Sequence, residues 1–141
     1  MNTLKNQLSR HSVALVSLVI ALTSLAYNTW RNEQTEENRN VRAAGIEVLL
    51  KLGEVDRVVF YSHYDRDDSK ENPRTGWAYV LTVRDMASLM HEPARTSGAE
   101  LVSSWQANWS GLGNDDKAAN TISDAIDKAR NDVLEVLAAL D

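Results

Sequence analysis

The pattern of hydrophobic and polar positions divides the chain into an uncharged apolar stretch and a longer part with helical periodicity. Residues 12–30 form a run of 19 positions without a charged side chain. As an α-helix, this run is about 28 Å long at roughly 1.5 Å per residue, which is close to the roughly 30 Å thickness of a bilayer's hydrocarbon core. We therefore predict a transmembrane helix over residues 12–30, preceded by a short basic tail over residues 1–11.

The two ends of this run carry residue types that are common at membrane boundaries. Lys5 and Arg10 precede it without an acidic neighbour, and Tyr27 and Trp30 close it. Such rings favour the headgroup level, so we interpret Tyr27 and Trp30 as interface anchors. The alternative is a cleaved signal peptide, because a basic start and an apolar run are followed by a small-residue pattern at positions 24–26. The length of the run and its aromatic end favour a retained span.

Small and polar side chains recur along the predicted span at alternating spacings of three and four residues. This spacing places them on one side of a helix. In lipid, small residues allow two helices to approach closely, and hydroxyl groups can bond across the contact. We predict that this stripe packs on a second transmembrane helix, from another copy or from a partner protein; the alternative is a lone anchor. The small-residue stripe consists of Ala14, Ser17, Ala21, Ser24 and Asn28.

Beyond the span, a polar segment leads into a helix that is apolar on two sides. Residues 31–40 contain no glycine or proline, so we expect a polar juxtamembrane helix there. From Val41 onwards, apolar residues recur every three or four positions, as in a helix packed on other helices. A helix with a second apolar side sits centrally or also meets a partner. The predicted core side is Val41, Gly45, Val48, Leu52, Val55 and Val59, widened by Leu49 and Phe60, and the candidate partner face is Ile46, Leu50, Tyr61 and Tyr64.

Two shorter helices are predicted in the middle of the chain. Thr75 is placed to cap a helix over residues 77–90. Ser97 and Glu100 have capping-box spacing, which predicts a helix over residues 99–110.

The last helix has the clearest amphipathic pattern. Asn114 or Asp115 is placed to cap it, and its apolar positions fall within an arc of about 120° at 100° per residue. Together, the segments predict an all-α protein in which the N-terminal transmembrane helix continues into a small antiparallel helical bundle of about four helices over residues 41–141. The apolar positions of the last helix are Ala118, Ala119, Ile122, Ala125, Ile126, Ala129, Val133, Val136, Leu137 and Leu140.

Charge and composition narrow the function classes. The 141 residues carry a formal net charge of −5, and the charge is split between +2 in residues 1–30 and −7 in the remainder. An acidic soluble part argues against nucleic acid as a partner, because nucleic-acid binding relies on basic surface. The absence of cysteine excludes disulfides, thiolate metal sites and cysteine nucleophiles. The basic tail predicts an amino terminus in the cytoplasm and a periplasmic bundle at a bacterial inner membrane.

The best candidate for a metal site is the loop that follows Tyr64. Carboxylate and hydroxyl side chains alternate there as in the first half of a calcium loop. However, Lys70 stands where the sharp turn needs glycine, and Gly76 stands where a bidentate glutamate is needed. We therefore predict a solvated loop without a metal. The alternating residues are Asp65, Asp67, Ser69 and Glu71.

Histidine and tryptophan residues offer two further candidate sites. His63 and His91 are predicted near the ends of different helices, either as an acid–base or metal pair or as ordinary surface or dipole partners. Trp77, Trp105 and Trp109 would line a ligand pocket, belong to the core or form a belt on the membrane surface. We favour the ordinary roles in both cases, and we predict no catalytic residue, no cofactor and no metal site.

A resemblance is carried by two short runs at the end of the span, Tyr27-Asn28-Thr29-Trp30-Arg31-Asn32-Glu33 and Glu37-Asn38-Arg39-Asn40. They are similar to runs in a group of small, uncharacterised single-span membrane proteins of proteobacteria. This resemblance implies a bacterial inner-membrane setting and brings no activity with it. The predicted bundle also looks broadly like the sensory bundles of bacterial receptors, which add a second span and a signalling domain that this sequence does not show.

These observations lead to one expected function and two alternatives. We expect a non-enzymatic, membrane-anchored helical protein that acts as an accessory, regulatory or scaffolding subunit of a bacterial inner-membrane complex. Its expected partners are the lipid bilayer and either another membrane protein or a second copy of itself. The alternatives are a periplasmic ligand-binding sensor module that uses the tryptophan-rich interior, and a secreted helical protein released by signal-peptide cleavage.

Overall fold

The computed structural model describes residues 2–65 and 72–140, and for residues 2–10 it describes the backbone alone. A π-helical turn (Tyr61–Asp65) follows the first helix, and a 3₁₀ turn (Trp109–Gly111) follows the third. No strand occurs in the described residues, which confirms the predicted all-α fold with a long N-terminal apolar helix and a helical bundle. The α-helices in these residues are α1 (Asn2–Phe60), α2 (Pro73–Ala87), α3 (Ala94–Asn108) and α4 (Asp116–Ala138).

The chain divides into two compact units, and the first of them, Met1–Glu37, contains the amino-terminal part of α1. This part is long and apolar enough to cross a membrane, and it is exposed throughout its apolar window. The Thr23 hydroxyl donates a hydrogen bond to the Val19 carbonyl at 2.8 Å, and the Thr29 hydroxyl donates to the Leu25 carbonyl at 3.0 Å. These hydroxyl groups are thus satisfied within the helix, which lowers the cost of placing them in lipid.

The second unit, Asn38–Asp141, has one hydrophobic core to which all four helices contribute. The predicted core side of α1 is buried, because its apolar residues return to the same side every three or four positions. Leu49 packs partly against this core as predicted. The prediction for Phe60 is wrong: Phe60 is exposed, and Val58 is buried in the core instead. Phe60 lies one position beyond Val59, which turns its side chain about 100° away from the core side.

The start of α2 differs from the prediction because an earlier residue caps the helix. Asn72 is the N-cap, and its side-chain oxygen accepts a hydrogen bond from the Arg74 N–H at 2.9 Å. Pro73 follows at the first helical position, where no N–H is needed. Thr75 therefore lies inside the first turn and does not cap a helix at Trp77.

The start of α3 also lies earlier than predicted, and the predicted capping box is wrong. The helix begins at Ala94, and a Glu92 carboxylate oxygen accepts a hydrogen bond from the Thr96 N–H at 3.1 Å. Ser97 is buried inside the helix, and its hydroxyl donates to the Ala94 carbonyl at 3.2 Å. Ser97 and Glu100 have the spacing of a capping box, but the helix begins three residues before Ser97, at Ala94.

The start and core side of α4 follow the prediction. Asp115 is the N-cap, and its side-chain oxygen accepts a hydrogen bond from the Lys117 N–H at 2.9 Å. This bond satisfies one of the donors that every helix start leaves without a partner. The buried residues of α4 are Ala118, Ala119, Ile122, Ile126, Ala129, Val133 and Val136.

Lys128 joins α4 to α3 at the surface of the bundle. Its Nζ lies 3.0 Å from an Asp132 carboxylate oxygen and 3.1 Å from a Glu100 carboxylate oxygen. The hydrogen bond to Asp132, followed by the one to Glu100, raises the pKa of Lys128. Because Lys128 is about half exposed, water screens these pairs and their contribution to stability is small.

Candidate partner interface

One side of α1 in the second unit is apolar and yet exposed to solvent. The side chains of Ile46, Leu50 and Phe60 are 53%, 61% and 53% exposed, respectively. Gly53 and Arg57 lie between Leu50 and Phe60 along the same side. We call these five residues the outer face of α1. Because the opposite side of the helix is buried in the core, α1 has two apolar sides of which only one is covered.

The predicted partner face overlaps the outer face but is not identical to it. Ile46 and Leu50 belong to it, and Tyr64 is 62% exposed in the π-helical turn just beyond it. Tyr61 is half-buried. The Phe60 ring centroid lies 5.5 Å from that of Tyr61 and 6.0 Å from that of Tyr64, so Phe60 joins the two predicted tyrosines in an aromatic cluster.

Gly53 and Arg57 were not predicted to belong to the partner face, because neither residue has an apolar side chain. Their signal in the sequence is spacing alone, since they continue the alternation of four and three residues from Ile46 to Phe60. A Cβ atom built on Gly53 would meet nothing within 4 Å. The backbone of α1 is therefore open to close approach at the centre of the outer face.

A groove of about 300 Å³ opens at this centre. Because Gly53 has no side chain, nothing at that position fills the groove. The groove thus combines an exposed backbone, an aromatic wall and two charged side chains. Its lining residues are Gly53, Asp56, Arg57, Phe60 and Tyr61.

Charges of both signs lie at the groove. An Arg57 guanidinium nitrogen lies 2.7 Å from a Glu54 carboxylate oxygen, and an Asp56 carboxylate oxygen lies 3.7 Å from an Arg130 guanidinium nitrogen. All four side chains are partly in water, so each pair contributes roughly 0 to 1 kcal/mol. The adjacent acidic and basic groups suit a partner that presents the opposite arrangement.

His63 is engaged by groups of the bundle. Its Nδ1 lies 2.7 Å from the Leu112 carbonyl oxygen, and its Nε2 lies 3.2 Å from an Asp116 carboxylate oxygen. A carbonyl oxygen only accepts, so Nδ1 carries a proton and donates to Leu112. With both ring nitrogens occupied, His63 has none left for a metal or for His91, which is exposed in the loop between α2 and α3.

Replacing His63 with alanine is expected to lower the free energy of unfolding by about 1 to 3 kcal/mol, because the Leu112 carbonyl would lose its donor. Urea unfolding of the full chain in a mild detergent, followed by tryptophan fluorescence, measures the effect. Asp116→Asn is the matched control, since the Asp116 carboxylate is 91% exposed and its loss costs less. An equal loss in both variants would contradict the importance of the Leu112 bond.

The acidic loop gives no metal site in the part that is described. Asp65 is exposed at the end of the π-helical turn. Asp67, Ser69 and Glu71 lie outside the described residues. Within residues 2–65 and 72–140, no group of three or more histidine and acidic side chains is placed to hold a metal ion.

The three tryptophans of the second unit pack on protein. Trp105 is fully buried in the core. Trp77 and Trp109 are partly buried against the same core, with their ring centroids 6.3 Å apart at an angle of 70°. This edge-to-face contact is a favourable arrangement of two aromatic rings. The geometry supports the core role for these residues.

The small-residue stripe lies in the first unit, where it occupies one side of α1 and is exposed along its length. The interface anchors Tyr27 and Trp30 are also exposed, and their ring centroids are 6.1 Å apart. The stripe is therefore accessible to another helix. Its residues are Ala14, Ser17, Ala21, Ser24 and Asn28.

No family model, curated protein or solved structure matches this chain.

Proposed function

We propose that the protein is a non-enzymatic, membrane-anchored subunit that acts as an accessory, regulator or scaffold in a bacterial inner-membrane complex. The observation that carries this proposal is the outer face of α1. Its three large apolar side chains are more than half exposed, although the same helix fills a complete core on its other side. Ile46 and Leu50 lie one helical turn apart, and neighbouring exposed apolar side chains of this kind indicate a site of contact with another molecule.

The first unit supports the membrane part of the proposal. Its uncharged run has the length of a bilayer core, and Tyr27 and Trp30 stand at its end. The basic tail favours an amino terminus in the cytoplasm and a bundle in the periplasm. A reporter fused after residue 141 that is active only in the cytoplasm would contradict this orientation.

Affinity purification from native membranes tests the proposed function. The full chain is tagged and extracted in a mild detergent, and the proteins that accompany it are identified and quantified. We expect a stoichiometric protein, foreign or a second copy, which is reduced when Ile46 and Leu50 are both changed to serine. The matched control changes Leu89 and Leu134 to serine, since both are exposed leucines outside α1. The proposal is wrong if no protein accompanies the chain.

The small-residue stripe carries a separate prediction for the contact in lipid. Changing Ser17, Ala21 and Ser24 together to leucine is expected to weaken association about tenfold, because the bulkier side chains keep the helices apart. Quantitative co-purification measures association, and tryptophan fluorescence reports that the bundle remains folded. Association that is unchanged would contradict the role of the stripe.

The control for this prediction places leucine at three positions on another side of the helix. Val16, Val19 and Thr23 have the same spacing of three and four residues and are exposed as well. Changing these three to leucine is expected to leave association near its original level.

A further inference from the structure

The groove in the outer face has the arrangement of a coiled-coil hole. Gly53, Asp56, Arg57 and Phe60, which line it, are at positions i, i+3, i+4 and i+7 of α1. In a coiled coil, four residues of one helix surround a single inserted side chain of the facing helix. When two identical helices lie parallel and in register, each hole faces one side chain of the other helix. For the hole lined by Gly53, Asp56, Arg57 and Phe60, that side chain is Arg57 of the other copy.

The residues around the groove continue the same pattern. Ile46, Leu50, Gly53, Arg57 and Phe60 are separated by four, three, four and three residues, which is the heptad alternation. In a coiled coil, a heptad seam of this kind is the surface along which one helix packs on another. A single charged residue inside a seam reduces stability but fixes the register and the number of helices. Arg57 occupies such a position.

The charges at the groove fit a second copy of this chain. In a parallel pair, Arg57 of one copy exchanges its ion pair with Glu54 for a place between Gly53 and Phe60 of the other copy, beside that copy's Asp56. Two-fold symmetry repeats the contact, so two pairs of opposite charge form. The Asp56 side chain is 57% exposed, and its carboxylate lies 3.7 Å from an Arg130 guanidinium nitrogen, so it remains accessible to a second arginine.

We propose that the outer face binds the outer face of a second copy, as a parallel and in-register pair of α1 helices. Arg57 of each copy inserts into the other copy's groove and pairs with its Asp56. This inference rests on the proposed function, because a shared membrane brings two anchored copies of the chain together. It identifies the partner of the outer face as the chain itself.

Disulfide cross-linking of the full chain in native membranes tests the proposal. The chain has no cysteine, so each variant carries a single one. Ile46→Cys, Leu50→Cys and Phe60→Cys are each expected to form covalent dimers under mild oxidation, because equivalent seam positions of a parallel pair lie close together. Leu134→Cys is the matched control, since Leu134 is an exposed apolar residue on α4. An antiparallel pair would not link at both Ile46 and Phe60.

Three single substitutions and one double exchange separate the groove from a general apolar contact. Gly53→Leu fills the groove and is expected to reduce cross-linking of the Leu50→Cys variant at least tenfold. The thermal midpoint is expected not to fall, because a Cβ at Gly53 meets no atom within 4 Å. Asp56→Arg and Arg57→Asp are each expected to reduce cross-linking, and the double exchange is expected to restore it.

The outcomes distinguish this inference from the proposed function. A stoichiometric foreign protein on the outer face, without dimers, overturns the inference and leaves the proposed function standing. The absence of both dimers and accompanying proteins overturns both. Cross-linking that is equal at Leu134 reports random collision and also overturns the inference, as does a double charge exchange that fails to restore dimers.

Discussion

Replacing Trp105 with alanine is expected to lower the free energy of unfolding by about 3 to 5 kcal/mol. Trp105 is the largest of the fully buried side chains in the core. It lies on α3 and its ring faces Gly76 in the first turn of α2, so its removal leaves a cavity between two helices. The surrounding helices cannot close this space fully, and the lost contacts add to the lost burial.

Urea unfolding of the full chain in a mild detergent measures this loss. Near-ultraviolet circular dichroism is the suitable signal, because it reports the packing of the remaining aromatic rings in the second unit. Trp109→Ala is the matched control, since Trp109 is only partly buried and contacts Trp77 edge to face. We expect the control to lose about 1 to 2 kcal/mol. Equal losses would contradict the core role of Trp105 and favour the alternative in which the tryptophans line a ligand pocket.

Periodicity was sufficient to predict the core sides of α1 and α4. Val48, Leu52 and Val55 return to one side of α1 every three or four residues, and Ile122 and Ile126 do the same on α4. Burial of such a stripe is the main source of stability for a helix in a small protein, so the pattern and the packing agree. This is why the fold class followed from the sequence.

Helix starts could not be predicted as well, because neighbouring residues compete to satisfy the first N–H groups. In α2, Asn72 is the N-cap and Pro73 is the first helical residue, so both lie upstream of Thr75. In α3, the Glu92 carboxylate, upstream of Ser97, accepts a hydrogen bond from the Thr96 N–H. Each predicted cap has a suitable side chain, but in α2 and in α3 a residue further upstream binds an N–H group of the first turn. The choice depends on where the chain enters the turn, which the spacing of residues does not encode.

The outer face was only half predicted for a different reason. The sequence shows that α1 is apolar on two sides, but the bundle decides which side is covered. Phe60 was placed on the core side by its apolar character, whereas the structure exposes it beside Arg57. The importance of Gly53 depends on empty space around it, and empty space has no signature in a residue pattern.

Changing glycine to alanine is expected to have opposite effects at Gly76 and at Gly53. A Cβ atom on Gly76 would overlap Cζ2 and Cη2 of Trp105, whose ring is held on all sides by the core. Overpacking of this kind costs about 1 to 3 kcal/mol or more, which exceeds the roughly 1 kcal/mol that alanine adds to a helix. Gly53→Ala meets no atom within 4 Å, so we expect a gain of about 0.5 to 1 kcal/mol. Both variants are compared by urea unfolding at a concentration where the chain is monomeric.

The cost at Gly76 should also depend on the ring that opposes it. When Trp105 is shortened to leucine, the space beside Gly76 opens and the added methyl group has room. The combined loss of Gly76→Ala and Trp105→Leu is therefore expected to be smaller than the sum of the single losses by on the order of 1 kcal/mol. Strictly additive losses would contradict direct contact between the two residues. A smaller combined loss would show that Gly76 is required because Trp105 occupies the place of its missing side chain.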